Sequence, residues 1–144
     1  DDLEALQAFQ REDWIGQRVH HPDIVKTFAP TRPRRYLYLI QEHLQGQSLR
    51  AWRKNNPNAP VETIIKFAKP IIKALRALHR RETLHQDIKP DNFTLGYTDP
   101  TKLFCIDFGL ARKFSLPNGQ MTPMVVTVIN FFSYNFIFIY MINI

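Results

Sequence analysis

The amino-acid sequence predicts an α+β domain in which short antiparallel strands pack against a few helices. The first observation is an apolar stripe at helical spacing in the segment 61–81. The second is a set of short apolar runs separated by polar turns, the pattern of antiparallel strand pairs. The third is size, because 144 residues, 44% of them hydrophobic, suffice for one core and are too few for two.

The balance of charge and the cysteine content narrow the class of protein. Nineteen Lys and Arg against thirteen Asp and Glu leave a formal charge of +6, which favours anionic partners such as nucleotides, nucleic acid or acidic lipid. The single cysteine, Cys105, excludes an internal disulfide framework and is expected to fill space in a strand. The opening stretch "DDLEALQAFQREDW" is acidic and amphipathic, unlike a signal peptide, so we expect a reducing, cytoplasmic location.

A helix over residues 3–19 is the first predicted element. Leu3, Leu6 and Phe9 lie at helical spacing, and Pro22 cannot continue a helix. The runs "DIVKTFAP" and "RRYLYLIQEHL" follow, separated by a turn rich in Pro and Arg, and predict an antiparallel hairpin. The turn carries a cluster of three arginines, Arg32, Arg34 and Arg35. They could bind phosphate, but a solvated basic hairpin tip is the preferred interpretation.

Two helices and two strands are predicted next. A short helix, "SLRAWRKN", follows Gly46, and a longer helix over residues 61–81 presents an apolar stripe to the core. The stripe consists of Ile64, Ala68, Ile71, Leu75 and Leu78. Pro70 should kink this helix, since proline costs about 3 kcal/mol inside an unadapted helix. The strands "NFTLG" and "KLFCI" are joined by the turn "YTDPT", and the short strands that end at Asp87 and at Asp107 are expected to pair.

Two polar motifs accompany these apolar elements. Residues 84–93 read "LHQDIKPDNF", which is too polar for a core strand and too apolar at its edges for a linker, and so predict an active-site loop. Farther along, the strand "KLFCI" runs into "DFG" at residues 107–109. The pattern HxDxKPxN followed by DFG resembles the protein-kinase family, whose catalytic loop and metal-binding triplet have this form.

The resemblance implies a role for each polar residue of these motifs. Asp87 would accept the hydrogen bond of the acceptor hydroxyl and receive its proton, and Lys89 would lie against the γ-phosphate of ATP. Asn92 and Asp107 would hold Mg²⁺ through oxygen atoms, the ligands that this cation prefers. Lysine two positions after the base resembles the serine/threonine branch of the family. His85, a candidate general base by residue type, is expected to be a core residue instead.

The first 44 residues resemble the small lobe and hinge of the same family. In "QREDWIGQRVHHPDIV", Glu12 occupies the position of the helix glutamate that pairs with the ATP-binding lysine. In "YLYLIQEHLQGQSL", the resemblance makes Gln41 the gatekeeper and places the adenine-binding backbone at Glu42 and Leu44. Glutamine is unusual at the gatekeeper position and is expected either to narrow the back pocket or to add a hydrogen bond.

The resemblance covers residues 1–114 and implies a truncated kinase-like α+β fold. Residues 1–44 would supply part of the N-terminal lobe and the hinge, and residues 45–114 the catalytic-loop half of the C-terminal lobe. "REDWIGQRVHHP" and "HQDIKPDN" look like bacterial-type serine/threonine kinases, whereas the segment around "IDFGLA" is more similar to the casein-kinase group. The glycine-rich loop and its lysine are expected before residue 1, so the kinase domain is interpreted as partial.

Residues 115–144 form an uncharged, apolar tail that does not resemble a kinase. Its last part, "VVTVINFFSYNFIFIYMINI", is long enough to cross a bilayer as a helix, yet it is rich in β-branched and aromatic residues. Three interpretations stay open. The tail is a membrane-associated segment over residues 125–144, a buried or aggregation-prone strand pair, or a segment foreign to the domain before it.

Together these features predict a protein serine/threonine kinase homologue that uses ATP and Mg²⁺ and acts on proteins, with no nucleic-acid partner expected. Because the chain lacks a glycine-rich loop and the paired lysine, the chain alone is predicted to be inactive. Two alternatives stay open. One is a pseudokinase-like module that binds nucleotide or protein, and the other is a membrane-tethered regulatory protein, which rests on the tail alone.

Overall fold

The computed structural model describes residues 2–115, which pack around one hydrophobic core. The helices are α1 (Asp2–Gly16), α2 (Leu49–Asn55) and α3 (Val61–His79), with a short 3-10 turn at Pro90–Asn92. The strands are β1 (Thr27–Phe28), β2 (Ile40–Gln41), β3 (Gly46–Ser48), β4 (Thr83–Leu84), β5 (Phe93–Gly96), β6 (Leu103–Cys105) and β7 (Arg112–Lys113). The α+β class predicted from the sequence is confirmed. The predicted tail, residues 115–144, lies outside the described residues except for Ser115.

Helix α1 ends at Gly16, three residues before the end predicted from the sequence. At this point the helix passes very close to β1, because a Cβ built on Gly16 would lie only 2.4 Å from Thr27 Oγ1. A side chain at position 16 would therefore push the helix away from the strand. The absence of a side chain at residue 16 lets α1 rest directly on β1.

Strands β1 and β2 form the predicted antiparallel hairpin, with Thr27 opposite Gln41. The interpretation of its turn as a solvated basic tip is correct for Arg32 and Arg35, which are exposed, and wrong for Arg34. The Arg34 side chain is only 19% exposed and forms an ion pair with Asp13 of α1. The sequence pattern could not show this contact, because the two residues meet only when the turn folds back onto the helix.

Helix α3 supplies the largest part of the core and was predicted nearly to its ends. It buries Phe67, Ile71, Ala74, Leu75 and Leu78. The buried face is thus rotated slightly from the predicted stripe, since Ile64 is only partly buried and Phe67 takes its place against Trp52 of α2, with ring centroids 4.8 Å apart. The helix continues through Pro70. The carbonyl that proline leaves without a helical partner belongs to Lys66, which is exposed to solvent.

Strands β3, β5 and β6 form an antiparallel sheet in that order, in which the predicted strands β5 and β6 pair with each other. Strand β3 was not predicted. It requires Gly46, because a Cβ there would lie 1.8 Å from the carbonyl oxygen of Leu95 on β5. Ser48 ends the strand and begins α2, since its Oγ accepts a hydrogen bond from the backbone N–H of Ala51 at 3.1 Å.

Strands β4 and β7 pair with each other, with Thr83 opposite Lys113 and Leu84 opposite Arg112. The expected pairing of the short strand before Asp87 with the strand before Asp107 is wrong, because β4 pairs with β7 and β6 pairs with β5. The β4–β7 pairing joins the start of the polar loop to the segment that follows DFG. No helix within residues 2–115 is long and apolar enough to cross a bilayer.

Candidate active site

The polar loop that begins at residue 84 is anchored by a buried histidine. His85 is 2% exposed, and its ring lies 5.4 Å from the ring of Phe108 and 6.5 Å from that of Phe93, measured between centroids. Its Nδ1 accepts a hydrogen bond from the backbone N–H of Asp87 at 3.3 Å. Burial lowers the pKa of His85, so the ring is neutral at physiological pH. His85 therefore supports the loop from the core, as expected.

The carboxylate of Asp87 is held by two side chains of its own loop. Lys89 Nζ lies 2.6 Å from Asp87 Oδ2, and Asn92 Nδ2 donates to the same oxygen at 2.8 Å. Asn92 Nδ2 also donates to the backbone carbonyl of Asp87 at 2.9 Å. Burial of the carboxylate opposes ionisation, but the hydrogen bonds from Lys89 and Asn92 outweigh it and hold the pKa of Asp87 below its ordinary value. Asp87 is therefore an ionised acceptor at neutral pH.

The backbone of this loop is strained at the residue before Asp87. Gln86 has a φ of 67°, in the left-handed region that non-glycine residues rarely occupy. Such strain persists only where the surrounding structure enforces it, and it is common at active sites. Here the neighbours His85 and Asp87 are both fixed by hydrogen bonds, and the strained residue between them directs Asp87 out of the core.

Asp107 lies beside the same loop through a backbone hydrogen bond. The N–H of Ile106, the residue before it, donates to the carbonyl of Asn92 at 2.9 Å. Asp107 also has a positive φ, 62°, and its Oδ1 accepts from the N–H of Gly109 at 3.1 Å. The structure therefore brings Asp87, Asn92 and Asp107 to one place, although they come from two motifs of the sequence.

The oxygen atoms of Asn92 and Asp107 suit a hard divalent cation. Asn92 uses its nitrogen on Asp87, so its side-chain oxygen is the atom left for a cation. Residues 2–115 contain no cluster of three or more His, Cys, Asp or Glu that could hold a metal by itself. A site with few protein oxygens fits Mg²⁺, which keeps several waters and binds together with phosphate groups. The predicted pair of metal ligands is chemically consistent with this cation.

Glu12 of α1 faces the same region. Gln41 Nε2 donates to Glu12 Oε1 at 3.3 Å, so the predicted gatekeeper does add a hydrogen bond. Burial raises the pKa of Glu12, the negative charge of Asp107 raises it further, and the Gln41 hydrogen bond acts in the opposite direction. Next to it on the helix, Arg11 Nε donates to the carbonyl of Gly109 at 2.7 Å. Helix α1 is therefore attached directly to the DFG segment.

The predicted hinge residues follow β2. The N–H of Glu42 donates to the carbonyl of Lys26 at 2.9 Å, and Glu42 Oε1 accepts from the N–H of Lys26 at 2.7 Å. Both the N–H and the side chain of Glu42 are therefore engaged with the backbone of Lys26. Leu44 is partly buried against the core. The contacts of Arg11, Asp13 and Arg34 were not predicted, and the only signal for them is the run of charged residues "RED" around Glu12.

Comparison with known proteins agrees with this site. A sequence model of the protein kinase domain matches residues 1–133. The chain is 33% identical over 122 residues to "Cell division control protein 2 homolog 3" of Trypanosoma brucei brucei, covering 85% of the chain and 39% of that protein. It is 30% identical over 122 residues to "Serine/threonine-protein kinase VIK" of Arabidopsis thaliana, covering 83% of the chain and 28% of that protein. It is 30% identical over 111 residues to human "cAMP-dependent protein kinase catalytic subunit PRKX", covering 77% of the chain and 30% of that protein.

The chain thus spans well under half the length of these relatives. The predicted resemblance to a partial kinase domain of the serine/threonine type is confirmed. Because the family match covers most of the chain and includes both polar motifs, the chain belongs to the protein kinase family.

Proposed function

We propose that the protein to which this chain belongs transfers the γ-phosphoryl group of ATP to serine or threonine hydroxyls of other proteins. The observation that carries the proposal is the cluster in which Lys89 and Asn92 both hold the Asp87 carboxylate, next to Asp107. Proteins of this family generally use ATP and Mg²⁺. Phosphoryl transfer needs mainly positioning and charge, and this cluster offers both.

Asp87 is the group that meets the acceptor hydroxyl. As an ionised carboxylate it accepts the hydroxyl hydrogen bond and orients the oxygen. It takes the proton as that oxygen bonds to the γ-phosphorus and the bond from this phosphorus to the bridging oxygen breaks, releasing ADP. Asn92 holds Asp87 through two hydrogen bonds, one to the carboxylate and one to the backbone carbonyl, and so keeps the side chain directed at the substrate. Lys89, 46% exposed, places a positive charge where the transferred phosphate would lie.

The remaining predicted residues hold the nucleotide in this proposal. ATP, when bound with Mg²⁺, supplies the phosphoryl group, and Asn92 and Asp107 are the residues that would hold the cation. Glu42 and Leu44 offer backbone groups to the adenine edge, and Gln41 borders the space behind it. Protein substrates and ATP are the proposed partners. A cytoplasmic location and membrane association through residues 125–144 remain predictions.

The 144-residue chain by itself is proposed to be inactive or to act as a binding module. Its five glycines include no glycine-rich loop that could cover phosphates. Among residues 2–115, the hydrogen-bond partner of the Glu12 carboxylate is the neutral amide of Gln41, where the family uses a lysine. This observation favours the second candidate, a pseudokinase-like module, for the isolated polypeptide and not for the whole protein.

The test is phosphoryl transfer by the natural full-length protein that contains this chain. Transfer of labelled phosphate from Mg-ATP to a basic protein should fall at least a hundredfold in Asp87→Asn, since a positioned base contributes about 10²–10⁴-fold. Asp91→Asn is the matched control, because Asp91 belongs to the same loop but pairs with Arg50 on α2. The rate of phosphoryl transfer by Asp91→Asn should stay within about fivefold of the parent rate. Equal activity of parent and Asp87→Asn would refute the proposal, and nucleotide binding without transfer would establish the binding module.

A further inference from the structure

Helix α1 is held to the rest of the chain by three consecutive side chains that reach three different segments. The three hydrogen-bonded pairs are Arg11 with Gly109, Glu12 with Gln41, and Asp13 with Arg34. Consecutive residues of a helix point in directions about 100° apart. The three contacts therefore hold the helix against rotation about its own axis.

The pair formed by Asp13 and Arg34 has the best geometry of the three. Arg34 Nη1 donates to Asp13 Oδ2 at 2.9 Å, and Nη2 donates to Oδ1 at 2.7 Å. Both side chains are mostly buried, with 20% of Asp13 and 19% of Arg34 exposed. Two parallel charged hydrogen bonds fix the relative orientation of the two groups, which a single contact would not do. The hydrogen bond from Arg34 holds the pKa of Asp13 below its ordinary value.

The surroundings of Arg34 restrict it to this one position. Its guanidinium carbon lies 5.5 Å from the ring centroid of Phe9 on α1 and 5.6 Å from that of Tyr38. The Nε atom is buried and has no hydrogen-bond partner among the described residues. A buried donor without a partner destabilises the fold, so Arg34 stays here because the fork to Asp13 and the two rings compensate for it.

We propose that Arg34 is a positioning residue that fixes the rotation of α1 and thereby the placement of Glu12. Asp13 and Glu12 are neighbours on one rigid helix. The hairpin loop that holds Asp13 through Arg34 therefore also fixes the position of the Glu12 carboxylate. The effect on catalysis rests on the proposed kinase function. The effect on α1 does not, since it concerns only the helix and its contacts.

The structural test is hydrogen exchange in the natural full-length protein. In Arg34→Gln, backbone amides in residues 3–16 should exchange at least tenfold faster than in the parent, while those of α3 stay within twofold. Arg35→Gln is the matched control, because it removes the same charge from an exposed neighbour, and both helices should be unchanged. The exchanged pair Asp13→Arg with Arg34→Asp should recover part of the lost protection.

Four results would overturn the structural claim. The first two are an unchanged α1 in Arg34→Gln and an equal effect of Arg35→Gln. The third is a loss of α3 protection as large as that of α1, which would make Arg34 a general folding residue. An exchanged pair that recovers no protection would also contradict it, because the claim depends on the ion pair and not on arginine packing alone.

The kinetic test separates this inference from the proposed function. In Arg34→Gln the KM for ATP should rise about tenfold, while the KM for the protein substrate stays within twofold, since Glu12 acts on the nucleotide side. A loosened α1 with unchanged kinetics would refute the link to Glu12 and leave the kinase function standing. If Arg34→Gln loosens α1 but the parent protein transfers no phosphate, the kinase function is refuted and the positioning of α1 by Arg34 still holds.

Discussion

Replacing Asn92 with alanine should destabilise the fold, because it removes two hydrogen bonds made by one buried side chain. Asn92 is 5% exposed and donates to both the carbonyl and the carboxylate of Asp87. A neutral hydrogen bond contributes about 0.5–1.5 kcal/mol and one to a charged group about 1.5–3 kcal/mol. Because Lys89 still neutralises the carboxylate in the variant, we expect the lower half of the sum, about 2–3 kcal/mol.

The measurement is urea unfolding of the 144-residue chain followed by far-ultraviolet circular dichroism. A loss of about 2–3 kcal/mol corresponds to a fall in Tm of roughly 7–12 °C for a domain of this size. Thr101→Ala is the matched control, because Thr101 Oγ1 also donates to a carboxylate, that of Asp99 at 2.6 Å, but at an exposed turn. Because this turn is exposed, Thr101→Ala should lose clearly less stability than Asn92→Ala. If the two variants lose equal stability, or Asn92→Ala loses less than about 0.5 kcal/mol, the reasoning from burial is wrong.

Asn92→Asp extends this prediction to pH. The new carboxylate would face Asp87 and repel it, so the pKa of one of the two groups rises in the folded state above its value of about 3.9 in the unfolded chain. An acid whose pKa is raised by folding destabilises the fold at pH 7 and does so less as the pH falls through that raised pKa. Asn92→Asp should therefore approach the parent in stability near pH 4, whereas Asn92→Ala should keep its deficit.

Three further predictions concern other parts of the chain. His85 has a pKa lowered by burial, so its contribution to stability is complete above the unfolded value of about 6.5 and declines as the pH falls below it; urea unfolding of His85→Phe should show a weaker loss between pH 7 and pH 5 than the parent. Gln86 stands where many kinases have an arginine that pairs with a phosphorylated activation loop, and a neutral amide offers no charged fork. Phosphatase treatment of the full-length protein should therefore lower its activity less than tenfold, and a hundredfold loss that rephosphorylation restores would contradict this. Cutting the chain after Phe114 should raise the soluble yield because it removes an uncharged apolar segment, and a truncated form that is less soluble than the parent would show the tail to be part of the domain.

The sequence was sufficient for the elements that carry their own local signal. Helix α3 was found from its apolar spacing, and β5 and β6 from two apolar runs around a turn. Strands β3 and β7 were not predicted, and the strand before Asp87 was given the wrong partner. Their pairing is decided by distant partners, as with Gly46, whose place beside Leu95 is visible only in the folded chain.

The candidate site likewise contains residues that carry a local sequence signal and residues that do not. Asp87, Lys89, Asn92 and Asp107 stand in motifs with fixed spacing, so residue type and order sufficed to select them. Arg34 lies in a turn whose composition suits solvent as well as it suits an ion pair. Its burial depends on Phe9 and Tyr38 closing over it, and no local pattern records that.

The pairing of β4 with β7 has a consequence for how the site can move. The pairing joins Thr83 to Lys113 and Leu84 to Arg112. The segment between β4 and β7 therefore forms a closed ring. Asp87, the proposed acceptor of the proton, and Asp107, the proposed metal ligand, both lie within this ring. Helix α1 lies outside the ring and meets it through side chains such as Arg11. Conformational changes of this protein should therefore leave the distance between Asp87 and Asp107 constant and change the distance of Glu12 from both.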